Sequence, residues 1–173
     1  VLAVGSQPSL DLGLKNVGVS YDKNGIVVDR TLQTSARNVF AAGDILGGNS
    51  STERAIYTAE VAVMNMLGRS KTFTSFDGFI RTTNTNPQIA SVGLSEDELM
   101  KRSKKYKKVV VPLSATMAST TTGKKDGFIK IMADGQGKLL GATMVGPHAT
   151  DVVQELALAI RHNLPLVQVM NAQ

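Results

Sequence analysis

The stretch NVFAAGDILGGNSSTERA, residues 38–55, gathers residue types that can hold a polar ligand. An apolar run ends in Gly43-Asp44, which would place a carboxylate at the carboxyl end of a strand, where open α/β sheets bind ligands. A carboxylate there can accept hydrogen bonds from sugar-type hydroxyls, and Gly43 leaves room for a ligand to approach the backbone. A Gly- and Ser-rich loop then leads through Ser51 to a helix beginning near Thr52. A helix start offers free N–H groups and a partial positive charge, suited to a carbonyl or a phosphate. The same parts also make an ordinary strand–loop–helix corner, and spacing alone does not choose between the two.

Several elements must position that corner. VLAVG (1–5), GIVVD (25–29) and Val39 to Ala42 read as short apolar strands. Ser50 and Glu53 match a capping box at the start of the helix that follows. Ile56, Ala59, Val63, Met66 and Leu67 recur at helical spacing and predict its core face, with Gly68 as the C-cap. Beyond a boundary near residue 75 the pattern changes. PQIASVG (87–93) and KVVVPLSA (108–115) read as strands, with a helix opened by a second capping box, Ser95 and Glu98, between them. GFIKIMAD (127–134) and KLLGATMVG (138–146) flank a GQG turn, a strong hairpin signal. Ala149, Val152, Val153, Leu156, Ala157 and Ile160 mark a long amphipathic helix. Pro165 is allowed in the first turn of another. Hairpin-joined strands with helices grouped at the end predict an α+β fold with a mostly antiparallel sheet.

Composition narrows the classes. The chain has 173 residues, 42% hydrophobic and 19% charged, which fits a globular protein with a core. No apolar run approaches the roughly 18 residues of a membrane span, and no secretory leader is recognised. There is no cysteine, so this chain holds no disulfide or thiolate metal site, and a reducing cytoplasm is the expected location. His148 and His162 stand 14 residues apart, a spacing that suggests no metal site. The net charge is +5. Residues 1–75 carry 7 basic and 6 acidic side chains, and residues 76–173 carry 12 and 8. Most of the excess lies in KRSKKYKK (101–108). That run could bind nucleic acid, but one tyrosine makes no stacking platform, and a solvated helix end is the expectation. Val1 is not a start methionine, and the opening reads as a piece of a longer chain.

The motifs have a family likeness. TSARNVFAAGDI (34–45) resembles the second FAD-contacting segment of the pyridine nucleotide–disulfide oxidoreductases, the group of dihydrolipoamide dehydrogenase, glutathione reductase and mercuric reductase. VLAVGSQPS resembles that family's corner at the end of the NAD-binding domain. NPQIASVGLSEDEL resembles the start of its interface domain, and KLLGATMVGPHATDVVQELALAI that domain's last hairpin and long helix. The resemblance implies a remnant of the FAD/NAD-binding region at 1–75 and an interface, or dimerisation, domain at 76–173. It implies FAD and NAD(P) as cofactors and a homodimer formed through the C-terminal domain. Asp44 would bond the ribityl or pyrophosphate region of FAD, with Gly43 permitting that approach. The Thr52 main-chain N–H, next to Ser51, would meet the flavin pyrimidine carbonyl, and Gly5 would lie near the nicotinamide nucleotide. The parent would pass hydride between NAD(P)H, flavin and a small disulfide-type substrate. The family's redox cysteines, its first FAD motif and its late His-Glu pair are not in this chain, so no catalytic residue is assigned and the isolated chain is expected to be inactive. Self-association alone is the rival reading, and nucleic-acid binding through 101–108 a lesser one.

Overall fold

The structure is a computed structural model that describes residues 1–48, 50–68 and 71–171. It divides into two compact units, Val1–Ser75 and Phe76–Gln173.

The first unit is built around one helix, α1 (Thr52–Met66), and a small antiparallel hairpin, β1 (Tyr21–Asp22) and β2 (Gly25–Ile26). The hairpin turn is fixed by Asp22, whose carboxylate accepts the Asn24 and Gly25 N–H groups at 2.7 and 3.2 Å. The remainder is loop, single β-bridges and 3₁₀ turns at Leu14–Val17 and Gly43–Leu46. All three of the expected strands are therefore corrected. Val1–Gly5 forms no strand, and Val1, Leu2 and Val4 are each more than 90% exposed. Val39 to Ala42 is reduced to one bridge, Gln33 to Phe40. The GIVVD strand shrinks to Gly25–Ile26 with a bridge at Val28. A strand exists only by pairing, and among the described residues of this unit the sole ladder is β1–β2.

Helix α1 also departs from its sequence reading. Its N-cap is Ser51, whose Oγ accepts the Arg54 N–H at 3.1 Å, one residue after the expected Ser50–Glu53 box. The face it buries is Thr58, Val61 and Ala62, whereas Ile56, Val63, Met66 and Leu67 are 46–60% exposed. Val61 and Ala62 pack with Leu32, Val28, Phe40, Ala42 and Leu46, and Thr58 bonds the Gly43 N–H. Gly68 follows the C-cap Leu67 at φ +65°, the conformation that ends helices.

Two glycines bring the hairpin against the 43–47 turn. A Cβ on Gly47 would lie 1.6 Å from the Asn24 carbonyl oxygen, and one on Gly25 would lie 2.5 Å from that of Ile45. Gly47 also sits at φ 66°, ψ −170°, a region that only glycine populates freely.

The second unit is a five-stranded, fully antiparallel sheet of order β3-β4-β7-β6-β5, with β3 (Ile80–Thr83), β4 (Gln88–Gly93), β5 (Lys107–Pro112), β6 (Phe128–Ala133) and β7 (Leu139–Gly146). The hairpin expected around GQG is β6–β7, with Asp134 accepting the Gln136 and Lys138 N–H groups at 2.9 Å. Helix α4 (Ala149–Arg161) covers one face, where Ala90, Val92, Ala142 and Met144 meet Ala149, Val153, Leu156 and Ala157. All of its predicted core positions except Val152, 42% exposed, are buried or half-buried. On the other face α2 (Glu96–Lys101) sets Leu99, fully buried, against Met132 and Leu140. Its capping box is present in both directions: Ser95 N–H donates to Glu98 at 2.7 Å and Glu98 N–H to Ser95 Oγ at 3.2 Å. A short helix α3 (Met117–Thr122) and the strand β3 are additions that the sequence reading did not contain, and α5 (Leu166–Met170) follows Pro165. No described helix is long and apolar enough to cross a membrane.

One cation of the basic run, Lys108, is drawn into an ion-pair cluster. Lys108 and Lys130 pair with the two oxygens of Glu96, at 2.5 and 3.1 Å, and the Tyr106 hydroxyl donates to it at 3.1 Å. These hydrogen bonds, from Lys108 first and then Lys130, lower the Glu96 pKa from 4.5 to about 2.

Two predictions arise from this architecture. A carboxyl with a depressed folded pKa contributes stability that is present above its unfolded value and lost as pH falls through the folded one. In urea titrations at stepped pH, the stability gap between wild type and Glu96→Gln should be constant above pH 4.5 and close between pH 4.5 and 2. A gap that persists at pH 2 would remove this cluster as its source. Separately, Gly47→Ala should destabilise the first unit by roughly 3 kcal/mol or more, because clash and strain act together. Gly48, at φ +77° with open space around it, gives the strain alone, so Gly48→Ala should cost only about 1 kcal/mol. Equal losses in urea unfolding would contradict the close approach to Asn24.

Candidate functional site

The 3₁₀ turn Gly43–Leu46 carries Asp44. Ala42 enters it extended, at φ −147°, and Gly43 reverses the chain at φ +81°. The Asp44 carbonyl accepts the Gly47 N–H at 2.9 Å, which closes the turn, and the Arg54 guanidinium reaches from α1 to the Gly47 carbonyl at 2.7 Å. The Asp44 side chain is exposed, and among the described residues no hydrogen bond or ion pair engages its carboxylate.

That carboxylate lines a cleft of about 450 Å³, together with the Ser6–Ser9 segment, Lys23 and Asn24 of the β1–β2 turn, Ile45, Gly47, Gly48 and Ser50. One wall therefore carries an acceptor-only group, and the others carry a cation, hydroxyls and amides. A polyhydroxylated chain could meet Asp44, and an attached anion could meet Lys23. The sequence reading missed Lys23 and Asn24. Asp-Lys-Asn-Gly (22–25) carries an Asn-Gly signal for a tight hairpin, although nothing local tells that this turn faces residue 44. A larger recess, about 530 Å³, lies beside Asn65, Met66, Gly68 and Lys71 and has no carboxylate on its walls.

The other expected site residues are placed as follows. Thr52 is the first residue of α1 and exposed. Its N–H and that of Glu53 have no acceptor among the described residues, as expected in a helix's first turn. Ser51 uses its hydroxyl as the cap. Gly43 is half-buried. Its N–H is already bonded to Thr58, and a Cβ there would meet Ala55 in ordinary contact at 3.7 Å, so what calls for glycine is the positive φ. Gly5 is exposed in irregular chain next to Ser6, at φ +97°. Of the five, only Asp44 lines the cleft itself. His148 is the left-handed N-cap of α4 and His162 its C-cap, both in the chain's second unit.

A dinucleotide carrying a sugar alcohol fits this donor set: a free carboxylate, a nearby ammonium, and a 15-residue helix with unfilled N-terminal amides.

Comparison with known proteins places the chain. Residues 80–172 match the family model "Pyridine nucleotide-disulphide oxidoreductase, dimerisation domain", and residues 1–65 match "Pyridine nucleotide-disulphide oxidoreductase". The dihydrolipoyl dehydrogenase of Halobacterium salinarum is 35% identical over 172 residues, covering 98% of this chain and 36% of that protein. That of Bacillus subtilis is 30% identical over 161 residues, covering 92% and 34%. The crystal structure of LpdA from Mycobacterium tuberculosis superposes with a TM-score of 0.82 at 27% identity, over 92% of this chain and 36% of that one. The HOCl-induced flavoprotein disulfide reductase RclA from Escherichia coli shares the fold, with a TM-score of 0.81 at 24% identity over 94% of this chain and 38% of that one. The chain thus spans about a third of the length of the relatives it matches. FAD and NAD(P) are the cofactors of this group. With residues 80–172 and 1–65 both matched, the chain belongs to the pyridine nucleotide–disulphide oxidoreductase family.

Proposed function

We propose that this chain supplies one FAD-contacting segment and the dimer interface of a dihydrolipoamide dehydrogenase-like NAD(P)H:disulfide oxidoreductase, with residues 1–75 as the end of its nucleotide-binding region and 76–173 as its interface domain. The observation that carries the reading is the free carboxylate of Asp44 in a polar cleft, on a turn anchored to the helix whose first amides are open. Bound FAD would supply the two-electron chemistry that links hydride transfer at a nicotinamide to reduction or oxidation of a disulfide. Asp44 accepts hydrogen bonds from the hydroxyls of the ribityl chain, and Lys23 offers its ammonium to the adjoining phosphates. The Thr52 and Glu53 amides, backed by the α1 dipole, donate to an electron-rich carbonyl and favour negative charge on the ring beyond it. Gly5 lies on the side given to the nicotinamide nucleotide, and Ser51 serves the site by holding the helix start.

A homodimer through the second unit, in a cytoplasmic setting, belongs to the same reading. Ile89, Val152 and Leu158 of that unit are 40–56% exposed, and its family description is a dimerisation domain. Apolar side chains of this kind are what an isologous contact covers.

Titration of FAD into the 173-residue chain, followed by flavin fluorescence, should show saturable binding, weakened at least about tenfold in Asp44→Ala by loss of charge-assisted hydrogen bonds. Sedimentation at micromolar concentration should give a dimer, and NADH with a disulfide should show no turnover above free flavin. An Asp44→Ala variant that binds as wild type does, or a chain indifferent to FAD, would overturn the flavin assignment, and a monomer the dimer.

A further inference from the structure

We propose that Thr58 is a positioning residue, holding the Gly43–Asp44 turn in register with the start of α1. The inference rests on the flavin reading above for its purpose, but not for its geometry. Thr58 lies in the middle of α1, fully buried. A polar side chain so placed must be satisfied within the protein. Its Oγ1 donates to the Arg54 carbonyl at 2.8 Å, with that of Ala55 also within reach at 3.1 Å. This is the usual back-bond of a helical threonine, and it uses the hydroxyl's one proton. One of the oxygen's two lone pairs accepts the Gly43 N–H at 2.9 Å, across 15 residues of sequence. The hydroxyl is thus oriented by the helix toward a single loop amide.

That amide is the first of the turn. Gly43 is where extended chain reverses, and Asp44 is the next residue. The other end of the turn, the Gly47 carbonyl, is tied to Arg54. Asp44 is therefore held between two anchors, both projecting from the helix whose first amides form the other half of the site. The carboxylate and the helix start then keep their separation without a ligand to hold them. Valine fills the same volume as threonine and offers no acceptor, so it would leave the Gly43 N–H without a partner and release that end of the turn. Serine keeps the oxygen. Thr58 touches no ligand and acts only through the turn.

The test compares wild type, Thr58→Val and Thr58→Ser in the full chain by amide hydrogen exchange, read residue by residue in NMR spectra, and by FAD titration. In Thr58→Val, protection at Gly43 should fall about tenfold or more while Val61 and Ala62 stay as in wild type, and FAD affinity should fall by about the same factor. Thr58→Ser should stay within about threefold of wild type in both readouts. Unchanged Gly43 exchange in the valine variant, or unchanged FAD affinity despite lost protection, overturns the proposal. If the valine variant loses protection throughout α1, the serine variant decides: retained protection and affinity support the role, and their loss overturns it. A wild type that takes up no FAD defeats the flavin reading, while selective loss of Gly43 protection still supports the anchor.

Discussion

The first unit depends on one constraint: loops with almost no sheet of their own must have their backbone groups satisfied by something else. Helix α1 does this with side chains. Arg54 takes the Gly47 carbonyl, Thr58 the Gly43 amide, and Tyr57 the Ser75 amide. Asn65 does most, donating to the Thr31 and Thr72 carbonyls at 2.9 and 2.7 Å and accepting the Thr72 N–H at 2.8 Å. Each such bond removes the cost of a dehydrated backbone group as well as adding a contact. The helix thereby fixes the shape of chain segments far apart in sequence, including the turn that presents Asp44.

The second unit is organised the other way. Its backbone groups are paired by a ladder that runs through all five strands, and its side chains are free to make an apolar core. Polar side chains act at the margins: Gln88 accepts from the Thr150 hydroxyl at 3.2 Å at the start of α4, and Arg81 donates to the Gly93 carbonyl at 2.9 Å. Glu96 gathers cations from two neighbouring strands and so ties α2 to the sheet. The contrast is between a unit whose loops shape a polar cleft and one built on a five-stranded antiparallel sheet.

Legibility in the sequence followed the range of the interactions. The Ser95–Glu98 box, the β6–β7 hairpin and the face of α4 are local, so short patterns disclosed them. The strands expected at 1–5 and 39–42 needed pairing partners, which a pattern of apolar residues cannot supply. The apolar stripe of α1 misled because the helix packs on Leu32, Phe40 and Leu46 through Val61 and Ala62 and bonds Gly43 through Thr58, leaving Ile56 and Val63 exposed. The cap falls at Ser51 where the sequence offers two adjacent serines with equal local signals. At the site, the Gly-Asp corner and the helix start were readable from residue type. Lys23 and Thr58 were not, since each matters through a contact that crosses many residues of chain. The resemblance to a known family supplied the cofactor, which spacing alone left open.

The outer strand β5 has a consequence for handling the protein. All six of its residues are exposed, and Val109, Val110 and Val111 form its centre at 59, 50 and 37% exposure. An edge of this kind invites further strands to stack on it, the route toward amyloid-like polymers. Lys107 and Lys108 stand at one end of the three valines and Pro112, which lacks an N–H, at the other. Lysine and proline at a strand edge oppose such stacking, so the shelf life of concentrated samples should depend on these two lysines and this proline.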